Sequence, residues 1–427
     1  MHPTLILLFV GFLVFSGCRS READRTASSV VSDDLDRFWC AVDSIRTTSD
    51  SVRQLAYLRE IFVDSASAGQ QALFAARNYR PEEYVHSLRR YPAYYASLRR
   101  NIVREAATME RIDSYLDRLR RYYPQAGPAR VYFGMGNFRT SGTTVDSLVL
   151  IGSELAFADH TVDISELPDE LAYVKDYLRT DPVRDLDFLV VHEYVHTQQQ
   201  ESFGVSLLAT ALREGAAEFL AERATGKPSP TPAIAYGREH EDRVFAVFRR
   251  QMFNRNPGFW LWTDAPNEFG TRDLGYYVGY RLARQFYEGS ADTLRAAAEL
   301  IELDYADERA VEEFVQKTGY FGRDLDSLRK VYEGERPQVT EVVRQEERFT
   351  VRFSQPMLPG RRGFDYGPLG EEAVLRVTRV EGFSADSTTV TFTTDIREGT
   401  KQQVMLTGNF RSSDGLELRP YLIETGD

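Results

Sequence analysis

Two of the chain's six histidines stand four residues apart in His192-Glu193-Tyr194-Val195-His196. On a helix, positions i and i+4 share one face a turn apart, so both imidazoles can aim at a single ion. Zinc binds imidazole nitrogen at a short, fixed distance, and catalytic sites commonly supply three protein ligands and leave a position for water. Glu193 points about a quarter-turn from His192, beside that open position, where a carboxylate can accept the proton of the water. These residue types at this spacing therefore point to a metal-dependent hydrolytic site. The third ligand has to come from a separate element. Glu214, in "REGAAEF" eighteen residues past His196, offers a carboxylate on the next helical stretch.

Such a site needs a helix packed into a core. Val190, Val191 and Val195 supply the packing, and Asp181 with Pro182 forms the start signal of a helix through "TDPVRDLDFLVVHEYVHTQQQ". A second helix, "SLLATALREGAAEFLAERATG", stops at Gly226 with Pro228 beyond. Helical spacing also fills Leu35 to Tyr123, including "SVRQLAYLREIFV", "RYPAYYASLRRNIV" and "MERIDSYLDRLRRYY". It returns in "YGREHEDRVFAVFRRQMF", "LGYYVGYRLARQFYEG" and "ADTLRAAAELIEL". Between the helical blocks, "PARVYFGMGNF" and "DSLVLIGSEL" read as strands, with "RTSGTT" as the turn region between them. Beyond Arg336 helical spacing disappears; "RFTVRF", "TTVTFTTDI" and "QQVMLTGNF" alternate apolar and polar residues, and "SSDG" marks a turn. The expected fold is multidomain α+β: a mostly helical domain with a small sheet over 35–335, then an all-β domain over 336–427.

The N-terminus has a different character. "LILLFVGFLVF" (Leu5–Phe15) is too short to span a bilayer as a mature helix and has the form of a signal-peptide core. It ends in "FSGC", which resembles the lipobox of bacterial lipoproteins, although Phe15 replaces the commoner Leu and no Lys or Arg precedes the apolar run. The resemblance implies a signal peptide over 1–17, a lipidated Cys18 that anchors the protein in the bacterial cell envelope, and a flexible tether over 18–34. Cys40 would then be the remaining thiol, read in "RFWCAV" as a small core residue. The net charge of −12 comes with no basic block, which argues against a nucleic-acid partner.

The paired helices, HExxH and then Glu214-Gly215-Ala216-Ala217, resemble the gluzincin metallopeptidases of the thermolysin and aminopeptidase N type. In that family the glutamate opening E-G-x-A is the third zinc ligand, which implies His192, His196 and Glu214 around Zn2+ with Glu193 as general base. Glu218, one turn after Glu214, matches the acid that holds the first histidine in thermolysin-like enzymes; the alternative is a solvated charge, as for Glu222. The aminopeptidase-type Y-x-K-G, whose Tyr steadies the oxyanion, corresponds to Tyr276-Tyr277-Val278-Gly279, with Val at the Lys position. Tyr276 is the first candidate for that role and Tyr280, one turn on, the second; plain aromatic packing is the alternative for both. The aminopeptidase GxMEN motif is absent. "VVHEYVHTQQ", "LREGAAEFLAE" and "DLGYYVGYRLARQFYE" also resemble a bacterial family of predicted zinc-dependent proteases related to the gliding-motility lipoproteins, over roughly 130–300. "TVRFSQPM" and "LTGNFRSSDGLEL" resemble bacterial immunoglobulin-like modules, which implies a β-sandwich that spaces or binds.

His240 in "GREHEDR" is either a further transition-state donor or an exposed histidine on a charged helix. His86 and His160 have no partner at ligand spacing, and Asp159-His160 reads as loop. In related folds an extended peptide adds to the edge strand before HExxH, and "SLVLIGSEL" is the candidate here. Two functions remain open: an envelope-anchored zinc metallopeptidase acting on a peptide or protein substrate, or a non-catalytic envelope accessory protein that keeps the metalloprotease fold. Nothing in the sequence sets the oligomeric state.

Overall fold

The computed structural model describes residues 28–200, 204–263, 265–397 and 399–426. The proposed signal peptide, Cys18 and the tether up to residue 27 lie outside the described residues. Helix accounts for about 49% of the chain and strand for about 15%, so the fold is α+β. No helix of the described residues is long and apolar enough to cross a membrane.

A small sheet positions the site. Its strands are β1 (Val30–Val31), β2 (Arg130–Gly134), β3 (Gly142–Val145) and β4 (Leu148–Gly152), in the order β1-β2-β4-β3. β1, β2 and β4 run parallel, and β3 returns antiparallel to β4. Val131, Phe133, Val149 and Ile151 are fully enclosed, as expected of inner strands covered on both faces. Three expectations change here. "RTSGTT" is not only turn, because Gly142-Thr143-Thr144 opens β3; short polar edge strands carry little apolar alternation to read. Val30–Val31 and the first two residues of the helix Asp33–Ile45 lie within residues assigned to the tether. A two-residue strand has no period, and Asp33, Asp34 and Asp36 are first-turn acids rather than linker. Cys40 is exposed on that helix, not core.

The motif helix spans Leu186–His196, and Val190 to His196 are all buried. Asp181 does not cap it. Asp181 is left-handed (φ 57°), a 3-10 turn over Pro182–Asp185 intervenes, and its carboxylate accepts the His160 N–H at 2.6 Å instead. The partner helix Leu207–Thr225 starts where the Ser206 hydroxyl accepts the Ala209 N–H and stops at left-handed Gly226. It is buried almost all round, which makes it the central strut. The tyrosine-bearing helix Leu274–Gly289 crosses it at backbone contact. A Cβ on Gly279 would lie 1.7 Å from Ala211 O, and one on Gly215 would lie 1.9 Å from Tyr280 N. The glycines of E-G-x-A and Y-x-x-G are therefore the crossing point of the two helices.

From residue 339 the regular structure is strand, apart from a 3-10 turn at Glu371–Ala373. β5 (Val339–Gln345), β6 (Arg348–Phe353), β8 (Arg376–Phe383) and β9 (Thr389–Asp395) form one sheet in the order β5-β6-β9-β8. β7 (Phe364–Asp365), β10 (Gln402–Leu406) and β11 (Tyr421–Thr425) form another, with β10 central. A separate apolar cluster, including Phe349, Val351, Phe392, Val404 and Leu406, fills this part. Its 410–418 segment grips the helical part: Leu416 enters the helical core, and Glu417 accepts the Arg255 and Asn256 N–H groups at 2.9 and 2.8 Å.

Gly279→Ala should destabilise the protein by at least about 1–3 kcal/mol in a denaturant titration, because the added methyl meets backbone that cannot yield. Gly289→Ala, on the same helix with open space around its Cβ position, should be close to neutral.

Candidate metal centre

His192 and His196 bring their Nε2 atoms to 3.0 Å of each other, and Glu214 Oε2 stands 3.7 and 3.3 Å from them. A tetrahedral ion with bonds of about 2.0–2.1 Å needs donor atoms about 3.3 Å apart. The three donors bracket that spacing, and all three residues are buried. The motif helix supplies two of them and the partner helix the third, so the pairing of these helices is what assembles the group.

The outer atoms of the ligands are also held. His196 Nδ1 lies 2.7 Å from Gln199 Oε1, and Gln199 Nε2 donates to Arg213 O at 3.2 Å. An oxygen opposite Nδ1 makes that nitrogen the N–H and leaves the Nε2 lone pair for a metal. His192 Nδ1 faces Glu218 Oε1 at 3.6 Å, and the same oxygen accepts the Thr231 hydroxyl at 2.9 Å. Glu218 is therefore a buried partner of the first histidine rather than a solvated charge. Glu222 is not free on the surface either: it accepts the Tyr280 hydroxyl at 2.8 Å and pairs with Arg238 at 3.2 Å.

Glu193 is buried beside the cluster but outside the ligand set. Its carboxylate tucks under β3, where a Cβ on Gly142 would sit 2.6 Å from Glu193 Oε1. Burial pushes its pKa up, against the opposing pull of His192 and His196. The Tyr276 ring lies 6.2 Å from the His192 ring, and its hydroxyl accepts the Trp262 indole N–H at 3.0 Å. Tyr280 does not reach the group. One turn further on, its hydroxyl meets Glu222, two turns past Glu214 on the partner helix, and it accepts Arg238 Nη2 at 2.9 Å. His240 is exposed and packs against Tyr236 at a tilt, with ring centroids 4.4 Å apart. His160 is an exposed loop residue beside Asp181, and His86 lies on the helix Pro81–Arg90; neither joins the cluster.

The strand read as the substrate edge is not an edge. β4 is flanked by β2 and β3, and β3 is the strand that borders the motif helix. Because Gly152 N–H donates to Ser141 O, antiparallel alternation turns the amide groups of Gly142 and Thr144 away from β4. Sequence reasoning missed Gln199, Thr231, Gly142 and Trp262. Gln199, three residues past His196, lies in the turn that closes the motif helix and was within reach of a spacing argument; the other three are brought in by tertiary packing and carry no local signal.

Charge within the cluster sets how it binds a cation. Burial works against a charged His192, but its hydrogen bond to Glu214 and the fields of Glu218, Glu193 and Glu214 outweigh this and push its pKa up to about 9. Burial would raise Glu214, yet the two imidazoles hold it well below the usual carboxylate range. A raised histidine pKa stabilises the metal-free fold fully below about pH 6.5 and loses that contribution as pH rises through about 9. A metal needs the neutral imidazole. Affinity for a divalent ion, measured by chelator competition, should therefore climb across the same window by roughly tenfold per pH unit for one displaced proton. Glu218→Gln removes one of the charges that raise His192, so the climb should finish at lower pH.

No family model matches this chain, and none of the curated proteins matches it. Among solved structures it is similar to surface layer protein SbsC, domains 1–6, at 17% identity over 59% of this chain and 37% of that one, with a TM-score of 0.18. It is also similar to the N-terminal part of the bacterial S-layer protein SbsC, at 13% identity over 92% of this chain and 75% of that one, again with a TM-score of 0.18.

Proposed function

We propose that the protein is a zinc-dependent metallopeptidase anchored in the bacterial cell envelope, with the C-terminal strands forming a separate immunoglobulin-like sandwich. The observation that carries this reading is the division among the buried carboxylates. Glu214 joins the two histidines, Glu218 backs one of them, and Glu193 lies beside the group without belonging to it. A purely structural metal site has no use for that extra carboxylate.

Zinc, when bound, supplies a Lewis acid that polarises a carbonyl and acidifies water. Glu193 takes the proton of the attacking water as its oxygen adds to the peptide carbonyl carbon. It then returns that proton to the leaving nitrogen as the C–N bond breaks. A carboxylate pKa raised by burial suits both halves of this task. Tyr276, beside His192, is placed to donate to the carbonyl oxygen as negative charge grows on it. The outward N–H groups of Gly142 and Thr144 and the Thr144 carbonyl offer an extended peptide a strand to pair with, next to the base, while the Gly142 carbonyl accepts the Thr140 hydroxyl.

Glu193→Gln should keep zinc and thermal stability but lower peptide-library cleavage by roughly a hundred- to ten-thousandfold. A zinc-loaded Glu193→Gln protein that fully complements a deletion strain would move the assignment to an accessory role. Gly142→Ala is a second route to the same loss, because its methyl displaces Glu193 while the three ligands stay in place. For the anchor, Cys18→Ser should abolish lipid labelling and shift the protein out of the membrane fraction. An unlabelled wild type whose Cys18→Ser variant stays with the membrane would reject the lipoprotein reading.

A further inference from the structure

Trp262 is an unusual residue for its place. Its side chain is 51% exposed, so burial does not explain a tryptophan there. Its backbone is left-handed (φ 57°), a conformation that a bulky residue adopts only when its surroundings impose it. Two bonds impose it. The Trp262 N–H donates to Asp273 Oδ1 at 2.6 Å, and its indole Nε1–H donates to the Tyr276 hydroxyl oxygen at 3.0 Å. Asp273 is itself left-handed (φ 62°) and stands at the N-cap of the helix that carries Tyr276. The Gly275 N–H donates to Trp260 O at 2.9 Å, which seats the same loop on the same helix end. The loop thus grips the tyrosine at its helix start and at its hydroxyl.

The chemistry of this bond has a direction. Indole nitrogen is a donor only. The Tyr276 oxygen must therefore accept, and its own hydrogen is left to be given elsewhere. A glutamine or serine in place of Trp262 could accept that hydrogen and take it out of use.

We propose that Trp262 is a positioning residue for the candidate metal centre: its indole N–H fixes the hydroxyl of Tyr276, whose ring lies 6.2 Å from that of His192, and obliges that hydroxyl to donate toward an oxyanion held at the metal group. This rests on the metallopeptidase reading of the site, and it adds a residue from outside every motif in the chain. Trp262 touches no reacting atom in this role; it acts through Tyr276.

The test uses the detergent-solubilised full chain, with indole N–H resonances of 15N-labelled protein and binding of acetohydroxamate to the cobalt(II)-loaded protein. The chain has three tryptophans, so Trp262→Phe identifies its own indole signal by removing it. Tyr276→Phe should shift that same signal upfield and leave the other two in place. Trp262→Phe and Tyr276→Phe should each weaken acetohydroxamate by roughly tenfold, the scale of one hydrogen bond to a charged group, with cobalt content unchanged. The double variant should lose no more than either single one, because both remove the same donor. A purely structural role for Trp262 would give additive losses and no dependence of its indole signal on Tyr276. The proposal is overturned if Tyr276→Phe leaves the Trp262 signal unmoved, or if Trp262→Phe binds acetohydroxamate as tightly as wild type while Tyr276→Phe does not. Unchanged binding in both single variants overturns the donor role of Tyr276 and this proposal with it. Failure to load cobalt overturns the metal reading instead, and the indole signal still decides whether the contact exists.

Discussion

Three carboxylates and two imidazoles are buried within a few ångströms of each other, and the architecture around them follows from the cost of that burial. Glu193, Glu214 and Glu218 are each at most 9% exposed, as are His192 and His196. An isolated buried carboxylate costs several kcal/mol, so such a set persists only where charges are matched. Part of the matching is visible in the chain itself. His192 is drawn toward its charged form, and Arg213 lies 3.4 Å from Glu214. A divalent cation at the convergence of His192, His196 and Glu214 would neutralise the cluster far more completely, which is why the donor spacing and the charge balance point to the same occupant. The metal-free protein meets the same demand with protons, and the two solutions compete for the same nitrogen.

Matching charges at this depth requires helices that approach closely enough to bring the groups together. The crossing at Gly215 and Gly279 provides that approach. It leaves no room for a Cβ on either helix, so Glu214 on one and Tyr276 on the other are placed around the motif helix by backbone contact rather than by side-chain packing. The two motifs therefore each contain a candidate site residue and the glycine that delivers it: Glu214 with Gly215, and Tyr276 with Gly279. Gly142 plays the corresponding part on the sheet side, where the absence of a side chain lets Glu193 lie under β3.

What was legible in the sequence was whatever local spacing encodes. His192, Glu193 and His196 declare themselves by period, Glu214 by its place on the following helix, and the long helices by apolar stripes and stop signals such as Gly226. The misread features are those set by tertiary contact. Tyr276 and Tyr280 are one turn apart on one helix and alike in sequence, yet the partner helix meets them at different heights, so one lies beside His192 and the other bonds Glu222. β3 was hidden because its residues are mostly polar and small, which suits a half-buried edge and resembles a turn. Asp181 has the residue type of a cap, but its left-handed backbone points it at His160. In each case the residue type was compatible with the expectation, and packing chose another partner.

The C-terminal strands bear on the site through the stem of one loop. Glu417, paired with Arg411 in a buried ion pair at 3.2 Å, caps the Arg255 and Asn256 N–H groups. Asn254 donates to Gly415 O at 2.9 Å, and Arg411 donates to Asn256 O. Gly258 follows in left-handed conformation, so close to Arg411 that a Cβ there would meet its Nη1 at 2.8 Å. Four residues later the chain reaches Trp262. A left-handed tryptophan costs on the order of 1–2 kcal/mol, and such a conformation survives only if both ends of its loop are fixed. Asp273 and the helix start fix one end; the 410–418 segment fixes the other. The 410–418 segment, which carries no candidate catalytic group, thus holds the base of the loop that reaches Tyr276.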